Sequence, residues 1–249
     1  MQREVQHAWR TKVSVSVFLF LLSTAALSSQ TPGSDSAAAE PVVPSSQAPA
    51  ISDDRIFGVI PNFQTVSNPQ QTIAPLTVKQ KFQLFAKETF DPFTGGAALA
   101  GAALSQASND APKYGEGSGP YAERFAAAVA DITTQNFFAD AVMASVLHED
   151  PRYFRKGEEF GFWHRLGYSL SRVVVTRTDV GKEQFNYSGI MGMSLGIALS
   201  NAYYPASSVN GREVASRFGT SFVASALSNI LPEFWPDIRR KFFNHGPRP

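Results

Sequence analysis

The sequence predicts an all-α fold, a single helical bundle of about six to seven helices with small-residue-rich helices at its centre. Three observations predict it. Apolar residues recur at helical spacing in several separate segments. Proline, asparagine and aspartate stand at the ends of those segments, where helices are capped or stopped. Finally, residues 184–211 form a run of 28 positions without a charge, with small residues four apart at its centre.

The first element is a leader. Arg3, Arg10 and Lys12 precede an uncharged apolar run from Val13 to Leu27, the layout of a secretory signal peptide over residues 1–29. That run is shorter than the roughly 20 residues a permanent span needs. Cleavage near Ser28–Gln30 is therefore expected, and an uncleaved signal anchor is the alternative. Residues 30–54 are Ala, Pro, Ser and Gln without an aromatic and cannot bury enough apolar surface to offset their ordering entropy, so they read as a disordered linker. The helical domain is expected over 55–249, as one unit.

Thr77 followed by Gln80 is a capping-box pattern that opens a helix to about Phe90, with Val78, Phe82, Phe85 and Phe90 on one face. Asp91-Pro92 opens a second helix of small residues to about Ala107. Pro120 starts a long third helix through Phe125, Val129, Ile132, Phe137 and Val142 to about His148, where Asp150-Pro151 stops it. Phe160 to Thr176 reads as helix, but Val173-Val174-Val175 is β-branched and suits one short β element near 172–178. Within the uncharged run, Ser188, Gly192, Gly196 and Ser200 lie four apart and make a small-residue ridge for helix packing. Asn210 with Glu213 caps the next helix. Pro232 and Pro236 then lead to a final helix from Asp237 to Phe243. Ala103-Leu-Ser-Gln106, Ala198-Leu-Ser-Asn201 and Ala226-Leu-Ser-Asn229 share a tetrapeptide pattern, either a helix-packing motif or a coincidence of composition.

Composition excludes several functions. There is no Cys, hence neither disulfides nor a lipidated cysteine. The leader takes three of the chain's 22 basic and one of its 21 acidic residues, which leaves a net charge of −1 and no electrostatic case for nucleic-acid binding. The uncharged runs are diluted by polar residues and the mean hydropathy is −0.13, as expected of buried helices rather than spans. Peripheral contact is different. Trp235, Phe242 and Phe243 accompany Arg239, Arg240 and Lys241, an aromatic and basic set suited to a lipid interface or an envelope partner. A terminal helix that buries those aromatics is the alternative.

The catalytic inventory is short. His148-Glu149-Asp150 places three proton-transfer or metal-ligating groups together, and His164, Asp179 and Asp140 complete a site if the fold delivers them. Adjacent helical residues point about 100° apart, so the trio does not reproduce a zinc-protease His pair. A histidine that caps a helix C-terminus accounts for His148 equally. No nucleotide, hydrolase or zinc-protease motif is present, and no cofactor is implied.

Five phrases in order, His148-Glu-Asp-Pro-Arg-Tyr-Phe154, Val175-Thr-Arg-Thr-Asp179, Phe185-Asn-Tyr-Ser188, Ser200-Asn-Ala-Tyr-Tyr-Pro205 and Phe234-Trp-Pro-Asp237, resemble a family of exported bacterial envelope proteins to which no activity is assigned. The resemblance spans about Arg55 to Phe243. It implies one exported domain and brings no catalytic residue. The expected function is that of a non-enzymatic structural or interaction domain of the cell envelope; the alternative is a periplasmic hydrolase or metal-dependent enzyme using His148–Asp150.

Overall fold

The computed structural model describes residues 54–66, 74–108 and 112–243. The leader and nearly all of the linker lie outside them.

The described chain is mainly helical, with short strands at more places than the one expected. Strands β1 (Arg55–Ile56) and β2 (Ile60–Pro61) form a hairpin whose central residues Phe57 and Gly58 both have positive φ, 53° and 72°, as a type I′ turn requires. A Phe in that conformation is costly, and its ring packs on Trp235 at 4.5 Å. Strand β3 (Thr65–Val66) pairs in parallel with β5 (Tyr153–Phe154). Strands β4 (Glu149–Asp150), β6 (Val175–Thr178) and β7 (Glu183–Phe185) form an antiparallel sheet with β6 in the middle.

Helix α1 (Val78–Thr89) has the Thr77–Gln80 capping box. Its buried residues are Lys81, Leu84 and Thr89, while Val78 and Phe90 are exposed, so the inward face is rotated from the aromatic one the periodicity predicts. The reason is Lys81, whose charge is matched inside the fold. Helix α2 (Pro92–Ala107) is capped by Asp91. Helix α3 (Ser118–Asn136) continues as a π-helical segment, Phe137–Met143, and a last α turn, Ala144–Val146. Helix α4 (Phe162–Ser171) stops before the valines, and β6 follows.

Helix α5 (Tyr187–Ser200) lies against α3 and the π segment; α2 packs on α3, and α6 (Gly211–Ser228) meets α5. Helix α7 (Ile230–Phe243) begins seven residues earlier than expected and runs through Pro236. Pro232 sits in its first turn, where a missing N–H costs nothing. Pro236 is held inside the helix by the buried contacts of Glu233 and Trp235.

Candidate functional site

The fold separates the groups that the sequence places side by side. His148 ends the long helix with φ at 54° and an exposed ring; its carbonyl accepts the Asp179 N–H at 2.8 Å. Glu149 and Asp150 follow in β4, where neighbouring side chains point to opposite sides. Glu149 is 0% exposed and accepts the Ser188 N–H at 2.9 Å and the Gln184 side-chain amide at 2.6 Å. Its carboxylate thus sits at the N-terminus of α5, where helix N–H groups favour a negative charge. Asp150 forms an ion pair with Arg152 at 2.6 Å. Asp179 receives Lys81 Nζ at 2.9 Å on each oxygen, and the same ammonium donates to the Ala144 carbonyl at 3.0 Å. His164 is exposed and stacks on Phe160 at 5.1 Å. Among the described residues no three His, Asp or Glu side chains gather where they could hold a metal ion.

A second buried network ties α7 to α4 and β5. Glu233, 0% exposed, accepts Arg165 Nε at 2.8 Å, the Tyr153 hydroxyl at 2.7 Å and the Lys156 N–H at 3.0 Å. Arg165 also donates to Asp237 at 2.6 Å. A buried charge costs several kcal/mol unless it is paired and hydrogen-bonded, and this one is.

Asp140, a sequence candidate, is drawn away from His164 and Asp179 and lines, with groups that the sequence candidates did not include, a cavity of about 810 Å³ bordered by α1, α2, α3, α5, α6 and β6. Alanines 97 and 98 and Gly101 on α2, with Ala224 and Ser225 on α6, are among its lining, and their short side chains leave the space unfilled. Gln64 projects beside β3 and donates its amide to Glu88 and, at 3.5 Å, to Asp140. Lys87 acts on Glu88 in the opposite direction to burial, and burial outweighs it. Burial raises Glu88 well above the usual carboxylate range, and the nearby Asp140 adds to it. Burial likewise raises Asp140 from 3.8 to about 7, against the opposing hydrogen bond from Gln64. Asp131, also raised by burial, accepts the Tyr203 hydroxyl at 2.5 Å and that of Tyr204.

Arg152, Arg172 and Arg177 stand on the sheet side of the same cavity. One signal in the sequence and one in the structure bear on this site. Asp140 interrupts an apolar helical stretch, and the π segment that holds it is a local irregularity of the sort that gathers at functional sites.

The outer face of α4 and α7 is aromatic. Trp163 is 79% exposed and Phe162 56%. Phe162 meets Trp163 and Phe234, each at 5.1 Å between ring centres. From Phe234, Ile238, Lys241 and Phe242 follow at helical spacing, and Phe242 is 62% exposed. Arg239, Arg240 and Lys241 are exposed beside them, with Arg240 paired to Glu158 and Asp237. Trp235, expected at this contact face, is instead buried against Phe57; one turn-half separates it from Phe234, so it points inward. Among the described residues no helix is long and apolar enough to cross a membrane.

No known protein family, no curated protein and no solved structure matches the chain.

Proposed function

We propose that this chain is an exported cell-envelope protein whose helices form one bundle and act by contact, docking on an anionic lipid surface without catalysing a reaction. The observation that carries the reading is the aromatic ladder of exposed Trp163 and Phe162 on half-buried Phe234, continued along α7 by Lys241 and Phe242. An indole with most of its surface in water is unfavourable, and a bilayer interface accepts its apolar body and its polar N–H together. Arg239 and Lys241 add attraction to acidic headgroups. The leader-like residues 1–29 and the linker beyond them support delivery to the envelope.

The enzymatic alternative through His148–Asp150 draws less support from this arrangement. Glu149, Asp150 and Asp179 each face a structural partner, and the two histidines point to solvent.

Co-sedimentation with vesicles tests the proposal. The purified protein is expected to pellet with vesicles containing phosphatidylglycerol, to stay in the supernatant with phosphatidylcholine alone, and to detach as salt is raised. Trp163→Ala and Lys241→Glu are each expected to lower the bound fraction without shifting the melting temperature. Recovery in the supernatant with both vesicle types would sink the lipid reading. Intact-mass measurement of protein from expressing cells checks export, with a mature chain starting near Ser29 or Gln30 expected and one starting at Met1 opposing it.

A further inference from the structure

The cavity has the size of a small-molecule site, since such sites run from roughly 300 to 1,000 Å³ and this one is about 810 Å³. Its charges are unevenly matched. Arg152 is neutralised by Asp150. Arg177 lies with its guanidinium carbon 4.4 Å from the Phe154 ring centre, and no carboxylate among the described residues pairs with it. Arg172 lies 4.3 Å from the Tyr168 ring centre, its side chain 13% exposed; its ion-pair partner Glu183, at 3.0 Å, is 57% exposed and screened by water. The enclosed Arg172 Nε has no hydrogen-bond partner. Guanidinium groups held against aromatic rings, Arg177 without a carboxylate among the described residues and Arg172 with its Nε unused, keep donors for a planar or tetrahedral oxyanion.

The rest of the lining decides what kind of anion. Gln135, Asn136, Thr176, Ser221, Ser225 and Asn229 present hydroxyls and amides among apolar Ala97, Ile132, Ala139 and Met193, a mixed surface that suits a sugar, whose ring carries hydroxyls at its edge and C–H groups on its faces. Glu88 and Asp140, which line the same cavity, are held by burial toward their protonated forms, in which a carboxyl donates a hydrogen bond rather than repelling an anion.

We propose that this cavity binds a hydroxyl-rich organic anion of the sugar-acid or sugar-phosphate class, its anionic group held by Arg172 and Arg177 and its hydroxyls by the amide and serine lining. The site is separate from the aromatic face of α4 and α7, so it stands whether or not that face meets lipid.

Isothermal titration of the purified protein with galacturonate, glucose 6-phosphate, glucose and inorganic phosphate tests it. One of the two sugar anions is expected to bind at one per chain, and which one binds separates the carboxylate source from the phosphate source. Glucose is expected not to bind, and inorganic phosphate to bind more weakly than the sugar anion. Arg177→Gln and Arg172→Gln are each expected to weaken binding about tenfold or more, the loss of one charge-assisted pair, with Arg177→Lys between. Silence with both sugar anions, equal binding of glucose, phosphate binding as tight as the sugar anion, or a folded Arg177→Gln protein that binds as the parent does would each overturn the proposal.

Discussion

Gly192 of α5 faces Ala139 of the π segment so closely that a Cβ at position 192 would stand 2.5 Å from the Ala139 Cα and N. One turn on, a Cβ at Gly196 would meet Gln135 Cγ at 2.5 Å and its Cα at 3.1 Å. Ser188 and Ser200 complete the buried ridge. Gly192→Ala is therefore expected to destabilise the protein, because overpacking against backbone costs about 1–3 kcal/mol and outweighs the gain of about 1 kcal/mol in helix propensity. Gly219, in α6, has nothing within 4 Å of its Cβ position. Gly219→Ala is expected to stabilise by about 0.5–1 kcal/mol, so urea unfolding of the two variants should give opposite signs for the same chemical change.

The buried Glu233 network and the exposed Arg240 cluster predict a contrast. Glu233→Ala removes a carboxylate that Arg165, Tyr153 and Lys156 all use. Asp237 still pairs with Arg165, so a loss near the low end of the range for breaking a buried pair is expected, about 3 kcal/mol. Arg240→Ala, at an exposed ion pair, is expected to cost under about 1 kcal/mol. Denaturant midpoints of both variants check this.

Asp140 makes stability depend on pH. Its carboxyl rises from 3.8 in the unfolded chain to about 7 in the fold, so between those values the native state holds a proton that the unfolded state has released. Stability is therefore expected to fall as pH rises from about 4 to about 7 and to change little from this source above that. Glu88, raised in the same direction, adds to the fall. Asp140→Asn is expected to flatten the profile and to raise the melting temperature most at pH 8, and a thermal-unfolding series across pH measures both.

His148 serves the backbone, and its substitutions separate that role from chemistry. With φ at 54°, it occupies the left-handed conformation that ends a helix, which glycine adopts freely and a β-branched residue resists. His148→Gly is expected to leave stability nearly unchanged, and His148→Val to lower it by about 1–2 kcal/mol. Equal melting curves for the two variants would contradict the backbone role.

Much of the helical layout was legible in the residues because its causes are local. Thr77 with Gln80 and Asn210 with Glu213 act within one turn, and the structure carries both caps. The ends of α4 and α7 were harder. The β-branched valines yield to β6 only because β4 and β7 supply the strand's hydrogen bonds on either side. Pro236 stays inside α7 because burial of Glu233 and Trp235 outweighs one lost helical hydrogen bond.

Burial itself escaped the periodicity. Lys81 turns inward while Val78 and Phe90 turn out, because Lys81 finds Asp179 at a separation of 98 residues. No local pattern encodes such a pairing, and without it the same lysine belongs at the surface. Glu149 meets Ser188 at a separation of 39 residues, which turns a candidate catalytic acid into a helix-terminal anchor. The cavity arises the same way. Alanine and glycine on α2 are ordinary helix-packing residues in one dimension, and they become part of a cavity lining only when the folded chain brings α3 and α6 around the same space. Caps and small-residue spacing were readable because each depends on neighbours a few positions apart, and the absence of cysteine because it is composition alone. Which charges are paired, which acids keep their protons and where space remains depend on residues that meet only after the chain has closed on itself, and those contacts set the desolvation that raises Glu88 and Asp140.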